Sequence, residues 1–372
     1  MARAKNDTIG WGLIGCGGIS AAHTRAVEKI EGVKLVACCD VILERAEARA
    51  AEFGDSDTGI YTDIEKMVAD PNVDAVSICT PSGMHADNGI IAAQAGKHIL
   101  SEKPIDVVLR KIDEVIAAAA DNNVKLGCVF QRRTYEASKQ VREAVRTGKL
   151  GKLVVGDAYQ KYFRAHDYYA SGDWRATWEL DGGGCLMNQG VHGIDLLLYI
   201  MGDIKRLNAR CRTLARNIEV EDTAMASVEF VNGALGVLEC TTSVAPGMGS
   251  KTEISGDRGT IILEGDKITT WDIPGEEDVE TEEQTDKGAA SDPAAGFGGT
   301  GHIFHIHDLC EAIRNDREPL IPGREARRAV EVIKAIYRSS RLGGATVELP
   351  LPYEDDGPGI DYQSGLSGEW DY

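Results

Sequence analysis

The sequence predicts two domains: an N-terminal α/β domain with a doubly wound parallel sheet, and a C-terminal α+β domain with a large, open, mostly antiparallel sheet. The length of 372 residues exceeds that of one ordinary domain. Over residues 8–127, short continuous apolar runs alternate with helical patterns, which is typical of a parallel sheet covered on both faces. Further along, the strand-like segments are longer, alternate between apolar and polar residues, and are joined by turns such as Asn232-Gly233. We therefore place the domains at residues 1–130 and 131–372.

In the first domain, strands and helices are expected to alternate along the chain. The strands are predicted at residues 8–13, 34–39, 75–79, 98–100 and 125–130. The helices are predicted at residues 19–31, 43–53, 64–69, 88–95 and 107–122. Gly54, Pro71 and Gly96 fall at the joints and interrupt the periodic patterns.

The second domain is expected to begin with an amphipathic helix at residues 135–147, which ends at Gly148. Its strands are predicted at residues 153–163, 204–214, 223–230, 235–242, 251–255 and 260–264, and two closing helices at 302–315 and 324–342. Residues 275–300 are acidic and then rich in glycine and alanine, which predicts a mobile excursion. The stretch after Leu349 predicts a surface arm.

Charge and cysteine usage exclude several classes of function. The formal net charge of −19 disfavours binding to nucleic acid or to an anionic membrane, although a local basic site for an anionic substrate can exist in an acidic protein. No apolar run approaches the ~18 residues of a membrane span. The nine cysteines are odd in number and irregularly spaced, which favours buried thiols in a reducing compartment over a disulfide framework. We expect a cytoplasmic protein.

A glycine turn lies directly after the first predicted strand; it is a weak signal alone, and Asp40 and Glu102-Lys103-Pro104 at later strand ends make it a strong one. Gly15-Cys16-Gly17-Gly18-Ile19-Ser20 joins that strand to a helix. The first glycine of such a turn permits a tight bend, the second lets the backbone approach a pyrophosphate, and the helix N-terminus supplies N–H donors. Ser20 stands where a third glycine is usual and is still small enough for close packing. The pattern predicts a dinucleotide site.

Asp40 ends the second predicted strand, about twenty residues after the glycine turn. A carboxylate there accepts hydrogen bonds from both adenosine ribose hydroxyls and repels a 2′-phosphate. We therefore expect NAD as the cofactor. Because Arg45 is near, NADP remains the less favoured alternative.

Four motifs together resemble one known family. They are Gly15-Cys16-Gly17-Gly18-Ile19, Thr80-Pro81-Ser82-Gly83-Met84-His85, Glu102-Lys103-Pro104, and the run from Trp174-Arg175 through Asp181-Gly182-Gly183-Gly184 to Asn188-Gln189-Gly190-Val191-His192-Gly193-Ile194-Asp195. The chain is similar over nearly its whole length to the Gfo/Idh/MocA oxidoreductases. The resemblance implies a Rossmann domain followed by an open-sheet domain, and NAD(P)-dependent oxidation or reduction of sugars and cyclitols.

Lys103 is the first catalytic candidate. A lysine at the carboxyl end of a strand, facing the nicotinamide, can hydrogen-bond the reacting hydroxyl and stabilise developing alkoxide charge. Burial would lower its pKa. The alternative is a surface lysine paired with Glu102.

His192 is the second catalytic candidate, and we expect it to take the proton as hydride leaves the substrate carbon. Asn188 lies four residues earlier, so a helix would place both side chains on one face, with Asp195 a turn further on. The glycine run at residues 182–184 would let this segment approach the cofactor closely. The alternative is a buried histidine satisfied by Asp195. Many relatives have aspartate where this chain has Asn188, and since an amide cannot relay a proton, Asn188 is expected to bind a substrate hydroxyl.

The resemblance implies further contacts. Thr80, Pro81 and His85 would line the dinucleotide cleft, with Glu102 and Lys103 in the same cofactor-binding set. Gln131 would contact the nicotinamide end, and Trp174 and Arg175 would close over cofactor or substrate. Ordinary packing with a surface ion pair is the alternative for Trp174 and Arg175. Tyr162 and Arg164, on a predicted strand, are substrate-binding candidates.

Three histidines, His302, His305 and His307, invite a metal interpretation. On a helix the first two share a face and the third does not, and no acidic residue or cysteine follows at ligand spacing. We expect packing or surface histidines and no metal, since hydride transfer to nicotinamide needs none.

These patterns predict an NAD-dependent dehydrogenase acting on a secondary alcohol of a sugar, sugar derivative or cyclitol. The alternatives are an NADP-dependent sugar reductase, a nucleotide-sugar dehydrogenase, or a catalytically silent NAD-sensing binding protein. A homodimer or homotetramer is expected, because one face of the second sheet would otherwise stay uncovered.

Overall fold

The computed structural model describes residues 8–277, 279 and 300–352. By their contacts these residues form two units, the first drawn from Met1–Gln131 and Asp286–Arg327, the second from Arg132–Thr285 and Arg328–Tyr372. The predicted excursion and C-terminal arm lie largely outside the described residues. The predicted domain division stays a prediction, but the contact units differ from it in one respect. The segment that ends at Arg327 packs with the first unit, although it follows the second in sequence.

The first unit is built on a six-stranded sheet, and the predicted fold class is confirmed. Its strands are β1 (Ile9–Ile14), β2 (Val33–Cys39), β3 (Gly59–Tyr61), β4 (Ala75–Ile78), β5 (His98–Ser101) and β6 (Leu126–Cys128), in the spatial order β3-β2-β1-β4-β5-β6. Every neighbouring pair is parallel. The helices between them are α1 (Ser20–Glu28), α2 (Leu43–Phe53), α3 (Ile64–Val68), α4 (His85–Gln94) and α5 (Leu109–Asp121). Sequence analysis missed β3, which has only three residues.

The second unit carries the eight-stranded sheet. After α6 (Glu136–Arg146) come β7 (Leu153–Lys161), α7 (His166–Tyr169), α8 (Val191–Met201), β8 (Ile204–Arg212), β9 (Thr223–Phe230), β10 (Leu235–Thr241), β11 (Gly249–Gly256), β12 (Thr260–Glu264) and β13 (Lys267–Asp272). The chain ends its described part with α9 (Thr300–Arg314), α10 (Gly323–Arg341) and β14 (Val347–Glu348). The spatial order is β13-β12-β11-β7-β10-β9-β8-β14, antiparallel throughout except for the β7–β10 pair.

Helix α9 belongs to the first unit because its apolar side is buried there. Ile306, Leu309 and Cys310 are fully buried in the same cluster as Trp11 of β1 and Ala26 of α1. Both α9 and α1 therefore complete one core. The sequence analysis predicted a helix at this place and assigned it to the second domain, because it follows that domain's strands along the chain; by its contacts it falls in the first unit.

Residues along the second sheet alternate between buried and exposed, so the sheet has one inner and one outer face. Helix α8 packs against β7 on the inner face. The outer face exposes Met225 and Leu235 but also carries ion pairs such as Arg206–Glu229. This face is more polar than an uncovered apolar sheet would be.

No helix among the described residues is both long and apolar enough to cross a bilayer. All nine cysteines fall within the described residues, and each is a buried free thiol. The irregular cysteine spacing thus reflects packing positions, as expected.

Candidate active site

Four predicted site positions follow the carboxyl ends of four adjacent strands in the first unit. Gly15 follows β1, Asp40 follows β2, Thr80 comes just after β4, and Lys103 comes just after β5. These strands are neighbours in the order β2-β1-β4-β5 and all run parallel. The strand order reverses between β1 and β4, which is where open α/β sheets bind ligands.

The glycine turn has the geometry that a dinucleotide turn needs. Gly15 has a φ of +88°, and a Cβ on it would lie 2.8 Å from the backbone of Cys79 and Thr80, so no other residue fits. A Cβ on Gly17 or Gly18 would meet nothing within 4 Å. The backbone at these two glycines therefore faces open space, where a pyrophosphate has room to approach.

Asp40 is fixed beside the turn by two backbone donors. Its Oδ2 accepts the N–H of Cys16 at 2.8 Å, and its Oδ1 accepts the N–H of Ile42 at 2.9 Å. The carboxylate is thus pre-positioned, and each oxygen keeps acceptor capacity for a further donor. Ser20, in the place of the third glycine, is buried and donates its hydroxyl to the carbonyl of Gly17.

Glu102 lies in the interior and holds the strand end that carries Lys103. Its Oε1 accepts from His23 Nε2 and from His302 Nε2, both at 2.9 Å, and its Oε2 accepts the N–H of Lys103. Burial raises the pKa of Glu102, but the two histidine hydrogen bonds outweigh it and keep that pKa well below its ordinary value. Burial lowers the pKa of His23. Glu102 is therefore an anionic carboxylate between two imidazoles. His23 belongs to α1, His302 belongs to α9, and Glu102 directly follows β5.

The same three residues are the one group of potential metal ligands found among the described residues, with ligand atoms within 4.8 Å of one another. The 2.9 Å separations are hydrogen-bond distances, and Ser77 Oγ lies 2.8 Å from His23 Nδ1. A hydrogen-bonded network accounts for the cluster. Of the histidines considered from the sequence, His302 and His305 are buried and His307 is exposed, as the helical spacing predicted.

His85 contacts the segments that follow two neighbouring strands, β4 and β5. Its ring nitrogens lie 2.8 Å from the carbonyl oxygen of Thr80 and 2.7 Å from that of Pro104. The imidazole is buried, and a carbonyl only accepts, so this side chain ties the segment after β4 to the one after β5. Gln131 Nε2 lies 3.5 Å from His302 Nε2. Cofactor contacts for His85, Glu102, Thr80, Pro81 and Gln131 stay predictions.

In the second unit, Asn188 sits on a π-helical turn, Leu186–Gly190, and His192 follows at the start of α8. Such turns are rare and occur often at functional sites. The prediction that both side chains share a face assumed α-helical spacing, which the π turn changes. Both side chains are half-buried.

Glu221, which the sequence analysis missed, supports this turn. Its Oε2 accepts the N–H of Gly184 at 2.9 Å, and its Oε1 accepts the N–H of Leu186 and the hydroxyl of Tyr337. Burial raises the pKa of Glu221 to about 7. An isolated glutamate between loop and strand gives no sequence signal for this role.

Glycine is required at positions 183 and 184 for a reason that the sequence analysis did not predict. A Cβ on Gly184 would lie 1.8 Å from the carbonyl oxygen of Glu221, and one on Gly183 would lie 2.0 Å from the Tyr337 hydroxyl. Within the second unit, the small residues are therefore needed for close approach to Glu221 and Tyr337. The expected reason, approach to a cofactor, stays a prediction.

Asp195 is held by a buried arginine. Arg133 donates Nε to Oδ2 at 2.8 Å and a terminal nitrogen to Oδ1 at 2.6 Å, in a two-pronged pair that is almost fully buried. Both carboxylate oxygens are thus engaged by Arg133, which ties the start of this unit to α8.

Asn188 belongs to a polar cluster around Tyr168. Its Nδ2 donates to Asp181 at 3.1 Å, and its Oδ1 accepts from the Tyr168 hydroxyl at 3.4 Å. That hydroxyl in turn accepts from Gln189 Nε2 at 2.9 Å and from Arg175 at 3.1 Å. The amide that was expected to bind a substrate hydroxyl is thereby oriented.

The aromatic and arginine candidates gather around the same tyrosine. The guanidinium of Arg175 lies 4.6 Å from the centre of the Tyr168 ring and 4.5 Å from that of Trp174. Arg164 lies 5.3 Å from the Tyr168 ring and 5.8 Å from Tyr162. Tyr162 and Arg164 follow the end of β7 rather than lying within it. The structure therefore brings Tyr162, Arg164, Trp174 and Arg175 together near Asn188.

Comparisons with known proteins fit this geometry. Residues 9–130 match a family model described as an oxidoreductase family with an NAD-binding Rossmann fold. Residues 138–262 match the GFO/IDH/MocA C-terminal domain. Together the two matches cover more than half of the chain.

Individual relatives cover most of the chain. The crystal structure of the WlbA dehydrogenase from Bordetella pertussis, in complex with NADH and UDP-GlcNAcA, is 31% identical with a TM-score of 0.82, covering 93% of this chain and 100% of that one. Myo-inositol 2-dehydrogenase from Thermotoga maritima is 29% identical over 75% of this chain and 80% of its own length. D-apiose dehydrogenase from Paraburkholderia graminis is 27% identical over 91% of this chain and 88% of its own.

The raised pKa of Glu221 predicts a pH-dependent stability. Because its pKa rises from 4.5 to about 7 on folding, the folded protein holds a proton that the unfolded chain has lost between these values. The stabilisation that comes from this proton on Glu221 is fully present below pH 4.5 and is lost as the pH rises through about 7. Between pH 4.5 and 8, the unfolding free energy of the wild type should fall by about 3 kcal/mol relative to that of Glu221→Gln.

Urea unfolding at several pH values measures this difference. Glu179→Gln, an exposed glutamate of the same unit, is the matched control and should follow the wild type. Parallel pH profiles of the wild type and Glu221→Gln would contradict the prediction, whatever the absolute stability of the variant.

Proposed function

Because the chain belongs to the GFO/IDH/MocA family of oxidoreductases, we propose that it is an NAD-dependent dehydrogenase for a secondary alcohol of a sugar, sugar derivative or cyclitol. The observation that carries this proposal is the set of four strand ends. The glycine turn, Asp40, Thr80 and Lys103 follow adjacent parallel strands around the point where the strand order reverses.

NAD fits the first unit. The open backbone at Gly17 and Gly18 would receive the pyrophosphate, and Asp40 would accept from the adenosine ribose hydroxyls. When bound, the nicotinamide supplies a hydride acceptor or donor. Asp40 favours NAD over NADP, because a 2′-phosphate would lie against a carboxylate.

Lys103 and His192 handle the proton in this proposal. The Lys103 ammonium donates to the reacting oxygen and stabilises the negative charge that develops there, while His192 takes the hydroxyl proton. Asn188, held by Asp181 and Tyr168, orients a substrate hydroxyl. Glu102 accepts the N–H of Lys103 and His85 contacts the carbonyl of Pro104, so both hold the segment that carries Lys103.

The names of relatives support a carbohydrate or cyclitol substrate, since the similar proteins from T. maritima and P. graminis are an inositol dehydrogenase and an apiose dehydrogenase. A nucleotide-linked sugar is the second candidate. It is favoured by the 31% identity with WlbA, whose structure holds UDP-GlcNAcA. A screen for NAD reduction with hexoses, glycosides, uronic acids, inositols and nucleotide sugars tests the proposal directly.

Loss of either proton-handling residue should lower turnover on the substrate found by that screen. Lys103→Ala and His192→Ala should each lower kcat by about 10²–10⁴, the usual contribution of a positioned acid or base, and leave NAD affinity within a few-fold. The double variant should lose little more than the worse single one, because groups acting as a unit are not additive.

Asn188→Ala should instead raise KM more than it lowers kcat, since an amide orients a hydroxyl without taking its proton. Lys66→Ala, an exposed lysine of the first unit, is the control and should keep wild-type rates. Near wild-type turnover in either single variant would contradict the role proposed for that residue. Absence of turnover with every compound of the screen, with NAD still bound, would favour the NAD-sensing binding protein.

Cofactor preference should follow the Asp40 charge. The wild type should bind NADH more tightly than NADPH in a fluorescence titration, and Asp40→Ser should narrow the gap by about tenfold. Because the Asp40 oxygens accept the N–H groups of Cys16 and Ile42, Asp40→Asn is the variant closer in shape: it removes the charge and keeps one of these two acceptor oxygens. Equal or tighter binding of NADPH by the wild type would contradict the assignment.

We also propose a homodimer or homotetramer through the outer face of the second sheet. That face leaves Met225 and Leu235 more than half exposed among its ion pairs. Light scattering at micromolar concentration should give a multiple of the 40.1 kDa chain mass, and Met225→Glu should shift it towards the monomer. A wild-type monomer would contradict this assembly.

A further inference from the structure

We propose that the substrate carries an anionic group, a carboxylate or a phosphate ester, and that Arg164 and Arg175 bind it beside Asn188 with support from Arg132. This inference rests on the proposed function, because it concerns the substrate of the same site. It narrows the substrate class from sugars and cyclitols in general to their acidic or phosphorylated forms.

The first observation is that these arginines lack acidic partners in a strongly acidic chain. Among the residues that the structure describes, none of the three has a carboxylate within ion-pair distance, although the chain contains 59 acidic residues. Elsewhere in the same unit, Arg146 pairs with Glu143 and Arg206 with Glu229. Three neighbouring cations left unpaired form a local basic surface.

The hydrogen bonds of these arginines go to neutral oxygens. Arg132 donates to the Tyr162 hydroxyl at 2.9 Å, and Arg164 donates to the carbonyl of Phe163 at 2.9 Å. Arg175 donates to the hydroxyls of Ser171 and Tyr168. A guanidinium has more N–H groups than these contacts use, so donors are left for a ligand.

The arginines are also held in place before any ligand arrives. Arg164 lies over Tyr168 and Tyr162, and Arg175 lies over Tyr168 and Trp174. Both arginine side chains are half-buried. Cation–π contacts of this kind restrain an arginine without neutralising it. Binding an anion therefore costs less side-chain entropy than recruiting a free surface arginine.

The acidic side chain that hydrogen-bonds to Asn188 does not form an ion pair with these arginines. Asp181 Oδ2 accepts the N–H of Ala176 at 2.9 Å, and Oδ1 accepts Nδ2 of Asn188. Asp181 is buried and positions the amide. Its role is to orient Asn188, while the arginines face neutral partners.

Tyr168 links the basic group to the hydroxyl-binding amide. Burial raises the pKa of Tyr168, so its hydroxyl stays protonated and can donate to Asn188 while it accepts from Arg175. Arg175 and Asn188 thus contact the same oxygen atom. An anion bound by Arg175 is accordingly close to the hydroxyl oriented by Asn188, as in a uronate or in a phosphate attached directly to the ring.

The test compares sugars that differ by one anionic group. We use D-glucose against D-glucuronate and against α-D-glucose 1-phosphate, and UDP-N-acetylglucosamine, which its diphosphate already charges, against its uronate, which adds a carboxylate. Calorimetry measures binding to the NADH-loaded protein, and turnover is measured with NAD. The wild type should prefer the member with the additional anionic group by at least about tenfold. The uronates and phosphates separate the two sources of charge.

Arg164→Met and Arg175→Met should each weaken binding of the preferred anion by about 10–100-fold, the effect of losing a charge-assisted pair, and leave binding of the partner without the additional anionic group within about threefold. NAD affinity should stay within about threefold in Arg164→Met. Arg164→Lys and Arg175→Lys keep the positive charge and should recover part of the lost anion affinity. This recovery separates loss of the charge from misfolding of the variant. Arg146→Met removes one positive charge from an exposed helix of the same unit and should change nothing.

Equal or tighter binding of the neutral sugars by the wild type would overturn the inference, as would unchanged anion binding in both methionine variants. If neutral sugars are oxidised and anions ignored, the proposed function stands and only the inference fails. If anions bind through Arg164 and Arg175 but no compound is oxidised or reduced, the inference about binding stands and the dehydrogenase proposal fails.

Discussion

The buried carboxylate of Glu102 is the interaction on which the first unit most depends. A desolvated charge is costly unless it is paired and hydrogen-bonded. Glu102 is therefore tolerated only because His23 arrives on α1 and His302 on α9, each 2.9 Å from the same oxygen. Its other oxygen receives the backbone of Lys103. One ionised group thus links two helices to the strand end that carries the candidate catalytic lysine.

Glu221 is the corresponding buried carboxylate of the second unit. Here too a buried glutamate organises a segment of backbone that carries candidate site residues, but its partners are two N–H groups and a tyrosine hydroxyl. Among the described residues no cation hydrogen-bonds to Glu221, and its pKa moves up rather than down. The two acids show that burial alone does not fix the charge of a carboxylate; the hydrogen bonds around it decide.

Sequence patterns predicted the parallel sheet, the second sheet and the glycine turn, because each depends on local periodicity or on residue types at fixed spacing. They did not reveal the roles of Glu221 or of the Arg133–Asp195 pair, since those contacts join residues far apart in the chain. The burial of His23 could have been inferred from the sequence, because His23 lies beside Ala22 and one turn before Ala26 on the buried side of a predicted helix. A histidine on such a face needs a polar partner inside the protein. The partner itself could be identified only from the fold.

The late position of α9 has a consequence for how the chain is made. During synthesis the first 131 residues emerge with all six strands of their sheet, yet α1 still lacks the cover that Ile306, Leu309 and Cys310 provide. Glu102 meanwhile has only one of its two imidazoles. The core of the first unit is therefore incomplete until α9 has been translated, which is after almost the entire second sheet. Until then the apolar side of α1 that α9 covers stays exposed, as a surface that chaperones bind.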